Sequence, residues 1–252
     1  MTFVGKSRPM TSAGVAGAAD VLSVSAQEVW TVISVETAGC GFLADRRPQI
    51  LFERHIFHRL TSGRFDDGDI SDPTPGGYGA TGAHQYDRLA RAIALDSNAA
   101  LQSASWGLGQ ILGTNFAAAG FASVDLMVQA MVDGEDAQLA AVGAFIEENQ
   151  LDAALKAHDW TSFARGYNGP GFAANHYDVR LRGEFQKFSV GVLPDLAVRA
   201  AQLFLTFRGF HPGPVDGFVG PLTRSAIVEF QQQNHLAQTG QVDDALLAAL
   251  DA

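Results

Sequence analysis

Apolar residues recur along most of the chain with the spacing of α-helices. The pattern predicts a short helix from about Ser12 to Leu22 and a second helix in the apolar run that ends at Glu36. The sequence Ser25-Ala26-Gln27-Glu28, immediately before that run, is a capping-box pattern that marks a helix N-terminus. Helical periodicity resumes later in several pieces: Tyr86–Leu95, the Ala-rich segments 124–132 and 136–157, and further stretches to about Phe185.

One segment of the N-terminal part departs from this helical pattern. Gln49 to Leu60 (QILFERHIFHRL) alternates apolar and polar residues well enough to predict a strand. The residues that follow, Thr61 to His84, are rich in Gly, Asp and Pro, which indicates turns and loops. We therefore expect a mainly α domain of α+β type, in which a small β-hairpin accompanies the helices.

A second, smaller domain is predicted at the C-terminus. Phe188 to Pro194 (FSVGVLP) interrupts the helical periodicity and indicates a short linker. Three helices in about sixty residues can form a small bundle. They are predicted at Asp195–Phe207, with Leu196, Ala200, Leu203 and Phe207 along one face, at Thr223–Asn234 and at Asp243–Leu250. The boundaries follow as residues 1–187 for the first domain, 188–193 for the linker and 194–252 for the second domain.

Composition limits the class of protein. The 252 residues are 47% apolar, which is typical of a globular chain with a sizeable core. A formal net charge of -10 argues against the basic face that nucleic-acid binding requires. The single cysteine, Cys40, excludes an intramolecular disulfide. The first residues lack the apolar core of a secretory signal, and no stretch is long enough to span a bilayer, so we expect cytoplasmic synthesis without membrane insertion.

Glu36 is the most informative candidate for chemistry. It ends an apolar helix within Val35-Glu36-Thr37-Ala38-Gly39-Cys40-Gly41-Phe42, just before a turn marked by glycine. A carboxyl group among apolar neighbours loses hydration, so its charged form is disfavoured and its pKa rises. A carboxyl that is protonated at neutral pH can donate a proton to a glycosidic oxygen. The ordinary alternative is a solvated or capping carboxylate.

Polar and aromatic residues cluster in two later segments, Ser103–Gln110 (SASWGLGQ) and Ala164–Gly171 (ARGYNGPG). Hydroxyls, amides and aromatic faces are groups that bind sugars. Metal binding is not indicated, because His55 and His58 would point to opposite faces of the predicted strand and neither HExxH nor CxxC occurs. Cys40 is expected to be a small buried residue rather than the nucleophile of a peptidase or amidase. We expect no metal and no organic cofactor.

These motifs carry a resemblance to a known family. In this order, VETAGCGF, SASWGLGQ and ARGYNGPG resemble the three signature segments of the lysozyme-like superfamily. Together with LFERHIF and GGYG, they are similar to the N-acetylmuramidase family of phage endolysins, over roughly Ala19 to Phe185. The resemblance implies a lysozyme-like fold and cleavage of the β-1,4 bond between N-acetylmuramic acid and N-acetylglucosamine in bacterial peptidoglycan.

The C-terminal part resembles the three-helix peptidoglycan-binding module of cell-wall hydrolases. Gly213 to Thr223 (GPVDGFVGPLT) and then Phe230-Gln231 carry this likeness. Two glycines permit a tight loop, and Thr223 is predicted to cap the helix that begins after Pro221. The wall-binding residues that the resemblance implies are Asp216, Gly217, Gly220, Thr223, Phe230 and Gln231.

The resemblance assigns roles to two carboxylates. Glu36 takes the part of the general acid. Glu53 stands where related muramidases place a second acidic group that can activate water, although a surface partner for Arg54 or Arg46 is the alternative. With that base the enzyme hydrolyses, with inversion expected and carboxyl groups roughly 6.5–9.5 Å apart; without it, the enzyme is a lytic transglycosylase that forms anhydro-muramic ends. The residues expected to contact the substrate are Gln110, Tyr167 and Asn168, with Trp106 and Tyr78 as further candidates.

Other functions and the route to the wall stay open at this stage. A chitinase-like glycosidase is a further enzymatic alternative, and a non-catalytic wall-binding protein is the alternative from another class. The expected partner is peptidoglycan, bound by a monomer. Access to the wall is expected through the membrane hole of a holin, as for an endolysin, or through a secretion machine, as for a bacterial effector.

Overall fold

The computed structural model describes residues 2–37 and 40–251. None of the helices in these residues is long and apolar enough to cross a membrane. The turn predicted after Glu36 falls partly on residues 38 and 39 and lies outside the described residues. In chain order the helices are α1 (Ser12–Leu22), α2 (Ala26–Thr37), α3 (Arg54–Leu60), α4 (Ala83–Leu95), α5 (Ser97–Gln102), α6 (Val124–Asp133), α7 (Glu135–Glu148), α8 (Asp152–Lys156), α9 (Trp160–Asn168), α10 (Tyr177–Val190), α11 (Leu196–Phe207), α12 (Pro221–Gln233) and α13 (Asp244–Asp251).

A small antiparallel sheet completes the first domain, so the predicted mainly α fold with a β element is confirmed. Its strands are β1 (Ile50–Phe52), β2 (Ala104–Trp106) and β3 (Ile111–Leu112), in the order β1-β2-β3. β2 and β3 form a hairpin from the SASWGLGQIL segment, and β1 pairs with the other edge of β2. The sheet therefore brings residue 53, just after β1, close to the segment that ends in Gln110.

Helix α2 begins and is buried as its sequence predicts. Glu28 accepts a hydrogen bond from the backbone N–H of Ser25 at 3.0 Å, which is the reciprocal half of a capping box. Most of the helix is buried in the main core, including Trp30, Ile33 and Val35. Because α2 packs against α1 and α10, its C-terminal end places Glu36 at the edge of this core.

The strand predicted over residues 49–60 was wrong beyond Phe52. The chain leaves the sheet at Glu53, which is the N-cap of α3. Ile56 and Phe57 on α3 are buried, so the apolar residues of this part serve a helix that packs on the core. The two histidines consequently lie one helical turn apart, with His55 Nδ1 3.2 Å from Glu53 and His58 Nδ1 3.2 Å from the Ser71 hydroxyl.

Two predicted boundaries also differ in the structure. The helix expected over 136–157 is divided into α7 and α8, because Gln150 adopts a left-handed φ of 57° and the chain turns to bury Leu151. Helix α10 continues to Val190, so the first three residues of the linker predicted at 188–193 are helical. Phe188 is buried against the main core, which explains why the helix extends so far.

The second domain consists of α11, α12 and α13, as predicted. Asp195 caps α11 by accepting hydrogen bonds from the backbone N–H groups of residues 197 and 198. The predicted cap at Thr223 was wrong: Gly220 is the N-cap of α12, and the Thr223 hydroxyl instead donates to the Pro212 carbonyl at 2.8 Å. The buried core of the bundle comprises Ala201, Leu205, Ala226, Ile227, Phe230, Leu246 and Leu250.

The two domains share a buried interface. Arg199 on α11 forms an ion pair with Glu135 at the start of α7, and both side chains are inaccessible to solvent. Phe42 of the first domain forms a buried apolar cluster with Leu203 and Val215 of the second. Helix α11 is therefore buried on more than the single amphipathic face that its sequence suggested.

The interface cluster should contribute measurably to stability. Replacing the fully buried Leu203 by alanine removes contacts on both sides of the interface and should lower the free energy of unfolding by about 2–4 kcal/mol. Leu222→Ala is the matched control, because this leucine is 61% exposed and its loss should change stability by less than about 0.5 kcal/mol. Urea unfolding followed by circular dichroism measures both; equal effects would contradict a structural role for the cluster.

Candidate active site

Glu36 lies near the C-terminal end of α2 and is half-buried. The hydroxyl of Tyr177, on α10, donates a hydrogen bond to its carboxylate. Arg180, one turn further along α10, donates from Nη2 to the carbonyl of Val35 at 2.5 Å. On the other side of the helix end, the Thr37 hydroxyl donates to the Leu108 carbonyl at 3.0 Å. The end of α2 is thus held from two directions, and Tyr177 bonds to the carboxyl itself.

The surroundings of Glu36 favour its protonated form. Burial raises its pKa from 4.5 to about 7, while the hydrogen bond from Tyr177 and the charge of Arg180 act in the opposite direction. Burial also raises the pKa values of Tyr177 and Tyr167 well above their usual range, with the nearby Glu36 charge adding to the effect. The site therefore contains a carboxylic acid that keeps its proton close to neutral pH.

Glu53 occupies the junction between β1 and α3. Its backbone N–H donates to the Ser103 carbonyl at 2.8 Å, which ties it to the start of the β2–β3 hairpin. The guanidinium of the fully buried Arg88 donates to the neighbouring carbonyl of Phe52 at 3.2 Å. Burial raises the pKa of Glu53, whereas nearby His55, a hydrogen bond from Tyr78 and the charge of Arg88 counteract this. Its environment is more polar than that of Glu36.

Both carboxylates open into one cleft. The cleft has an empty volume of about 660 Å³ and is lined by Glu36, Leu51, Glu53, Ser105, Gln110, Tyr167 and Asn168. A second cavity of about 870 Å³ continues from it, since Ser105, Gln110, Tyr167 and Asn168 line both. The two cavities together form an extended groove, which is the shape that a polymeric substrate requires.

Three predicted substrate-contacting residues meet in this cleft. Gln110 adopts a left-handed φ of 48°, and its Nε2 donates to the carbonyls of Gly107 at 2.9 Å and Gln49 at 3.3 Å. The hydroxyl of Tyr167 donates to the carbonyl of Gly109 at 2.9 Å. Asn168 ends α9 and is exposed. The structure therefore joins the SASWGLGQ and ARGYNGPG segments directly.

The other candidates are placed differently. Trp106 is 0% exposed and donates from Nε1 to the Leu101 carbonyl at 3.0 Å, so it belongs to the core and cannot stack on a sugar ring. Tyr78 is partly exposed, and its hydroxyl bonds to Glu53. Burial, together with the charge of Glu135, raises the pKa of Cys40 to about 12, which disfavours the thiolate that a nucleophile needs.

Tyr177 and Arg180 are the residues that sequence reasoning missed. Nothing in their local pattern distinguishes them, because Tyr177 meets Glu36 across 141 residues of sequence. The available signal was indirect: a tyrosine six residues after the YNGPG motif begins a helix that returns to the site.

Most of the predicted wall-binding residues stabilise the second domain itself. Thr223, Phe230 and Gln231 are buried, so their side chains maintain the bundle instead of facing the wall. Asp216 accepts hydrogen bonds from Gln202 and from the backbone of residue 218, and Gly217 has a left-handed φ of 79°. Gly220 is the N-cap of α12. The large apolar residues of this motif that are exposed are Phe218, Val219 and Leu222.

Comparison with known proteins identifies the first domain. A family model described as N-acetylmuramidase matches residues 25–189. The chain belongs to the N-acetylmuramidase family. A second model, described as a putative peptidoglycan binding domain, matches residues 195–250 of this muramidase. No curated protein matches the chain.

A solved structure agrees with this assignment. The muramidase is similar to the crystal structure of the Burkholderia AP3 phage endolysin, with 39% sequence identity and a TM-score of 0.66, over 72% of this chain and 71% of that chain. The resemblance inferred from the motifs is thereby confirmed. The protein is a glycoside hydrolase of the N-acetylmuramidase type, a peptidoglycan hydrolase that carries a peptidoglycan-binding domain.

The pKa of Glu36 predicts the pH dependence of activity. If Glu36 must be protonated, kcat/KM should fall as pH rises through about 7. Tyr177→Phe removes a hydrogen bond that favours the charged carboxylate, so the falling limb should move to higher pH. Tyr167→Phe is the control, since its hydroxyl bonds to Gly109 and not to Glu36. Initial rates of muropeptide release between pH 4 and 9 measure the position of this limb. A shift of the limb to lower pH in Tyr177→Phe would contradict the assignment of the limb to Glu36.

The same pKa predicts a pH-dependent stability. The folded-state pKa of Glu36, about 7, lies above its ordinary value of 4.5, so its contribution to stability is complete below 4.5 and is lost as pH rises through 7. Glu36→Gln cannot ionise. The free energy of unfolding of this variant should therefore rise relative to that of wild type as pH increases from 4 to 8, by at most about 3 kcal/mol. Chemical denaturation at both pH values measures the difference; an unchanged gap would contradict a buried, proton-retaining carboxyl.

Proposed function

We propose that Glu36 is the general acid and Glu53 the water-activating base in hydrolysis of the β-1,4 bond between N-acetylmuramic acid and N-acetylglucosamine. The observation that carries this proposal is the pairing of a carboxyl with a pKa of about 7 and a second carboxylate in the same cleft. Environments that differ in polarity separate the protonation states of two carboxyl groups, which is what acid and base catalysis requires.

Glu36 delivers its proton to the glycosidic oxygen. As the bond from the N-acetylmuramic acid anomeric carbon lengthens, the departing oxygen gains negative charge and takes the proton from Glu36. The hydrogen bond from Tyr177 then stabilises the carboxylate that results. Tyr177 thus keeps the acid strong enough to release its proton, although it does not itself touch the glycosidic oxygen.

Glu53 removes a proton from the attacking water. Its Oε2 lies 3.2 Å from Nδ1 of His55. Tyr78, His55 and Arg88 all favour the ionised form, so the carboxylate is available as a base. Water that has lost a proton to Glu53 adds to the anomeric carbon. Glu53 then releases that proton to solvent, and Glu36 is reprotonated from solvent.

The extended groove supports a polymer as substrate. Gln110, Tyr167 and Asn168 line both cavities and are the residues we assign to glycan contacts along the groove. Because one chain contains both carboxylates, the groove and the binding domain, we propose that the muramidase works as a monomer.

We further propose that the muramidase acts as an endolysin. Its likeness to a phage endolysin supports synthesis in the bacterial cytoplasm, followed by access to peptidoglycan through a holin. An effector delivered by a secretion machine would act on the same bond. Lysis on expression with a co-expressed holin, and none without it, is the result expected if the muramidase reaches the wall through a pore; lysis without a holin would contradict that route.

Digestion of purified walls tests the chemistry. Wild-type enzyme should release muropeptides that end in reducing N-acetylmuramic acid, and Glu36→Gln and Glu53→Gln should each reduce their yield by about 10²-fold or more. Mass spectrometry of the products measures both. Glu147→Gln, a change on the exposed surface of α7, is the matched control and should retain wild-type yield.

Two outcomes would contradict this assignment. Anhydro-muramic ends from the wild-type enzyme would identify a lytic transglycosylase and remove the role of Glu53. Reducing ends produced at the wild-type rate by Glu53→Gln would show that another group activates water.

A further inference from the structure

The buried carboxylate of Glu135 connects three separate parts of the chain. Its Oε1 accepts the backbone N–H of Gly41 at 2.9 Å, and its Oε2 accepts the backbone N–H of Met10 at 3.0 Å. Arg199, on the first helix of the binding domain, donates through Nη1 and also through Nη2, the latter at 2.7 Å. A side chain of the binding domain therefore fixes the acceptor that holds Gly41, five residues after Glu36.

Hydrogen bonds continue from Gly41 into the cleft. The carbonyl of Gly41 accepts the backbone N–H of Gln49 at 2.8 Å, and the carbonyl of Cys40 accepts Gln49 Nε2 at 2.9 Å. The carbonyl of Gln49 then accepts Gln110 Nε2 at 3.3 Å. Arg199, Glu135, Gly41, Gln49 and Gln110 thus form an unbroken relay from the binding domain to a residue that lines the cleft.

Apolar packing fixes the same segment from the side of the binding domain. Phe42 is buried with Leu203 and Val215, and its ring meets that of Phe207 edge-on at 6.2 Å between centroids. Gly41 has no room for a side chain, since an added Cβ would lie 1.9 Å from Oε1 of Gln138. Residues 40–42 therefore have little freedom to adjust while the domains are docked.

We infer that Arg199 is a positioning residue for the substrate cleft, acting through Glu135, Gly41 and Gln49 on Gln110. The binding domain then helps to shape the cleft in addition to binding the wall. This inference rests on the proposed function, in which Gln110 contacts the glycan. Glu36 is held separately, by Tyr177 from α10, so the relay acts on substrate binding and not on the acid.

Kinetics on soluble glycan strands stripped of stem peptides test this inference in the full-length enzyme. Arg199→Met should raise KM about 3- to 10-fold, leave kcat within about twofold and leave the alkaline limb of the pH profile in place. Arg208→Met is the matched control, because Arg208 bonds to the Leu250 carbonyl within the binding domain and should leave KM unchanged. Arg199→Lys retains the charge without the paired contacts and should fall between Arg199→Met and wild type.

A double-mutant cycle separates positioning from a general structural role. If Arg199 acts through Gln110, Arg199→Met should have little further effect on KM in a Gln110→Ala background. Should Arg199→Met fold poorly because Glu135 is left charged and buried, Arg199→Met with Glu135→Gln removes both charges and should show the same rise in KM.

The outcomes are distinguishable from failure of the proposed function. An inactive wild-type enzyme would overturn the proposed function itself. An active wild type with a variant that has lower thermal stability but unchanged KM would overturn the inference, as would a rise in KM that is equally large in the Gln110→Ala background.

Discussion

The loss of hydration at Glu36 is the constraint on which the site depends. The carboxyl lies at the C-terminal end of a buried helix, where the negative end of the helix dipole adds to the penalty on its charged form. Such a residue destabilises the protein above its pKa, so the packing of α2 against α1 and α10 has to offset the cost. Helix α10 has two effects on Glu36. It packs against α2, and it supplies Tyr177 and Arg180, which limit the rise in the pKa of Glu36.

The second carboxylate of the cleft lies in different surroundings from those of Glu36. Glu53 is also partly withdrawn from water, yet it is surrounded by His55, Tyr78 and Arg88, all of which favour its charge. Arg88 reaches this position because Thr61–His84, although irregular, folds back onto it: its guanidinium bonds to the carbonyl of Tyr78 at 3.1 Å and forms an ion pair with Asp69 at 3.2 Å. The irregular segment Thr61–His84 therefore helps to form the surroundings of Glu53, whereas the helical core forms those of Glu36.

Local sequence patterns were sufficient to predict the features that contacts within a few residues determine. The capping box before α2, the helical bundle at the C-terminus and the position of Glu36 at a helix end all follow from neighbours within a few residues. Predictions went wrong where distant contacts decide. Residues 54–60 alternate in a manner that suits a strand, but the core on which Ile56 and Phe57 pack selects a helix. Trp106 is a residue type that can stack on sugars, and only its complete burial identifies it as part of the core. Tyr177 was missed, because its partner Glu36 is 141 residues away in sequence.

The docking of the two domains changes what the binding domain can do for the enzyme. A module on a flexible linker raises the local concentration of the catalytic domain at the polymer without selecting which bond it meets. Here the buried pair of Arg199 and Glu135 and the cluster around Phe42 leave the module in one orientation relative to the cleft. Breaking a buried ion pair leaves an uncompensated charge, so undocking is costly even where the pair itself adds little net stability. Every surface of the module therefore lies at a set distance from Glu36, so the interface fixes where the binding domain stands relative to the cleft.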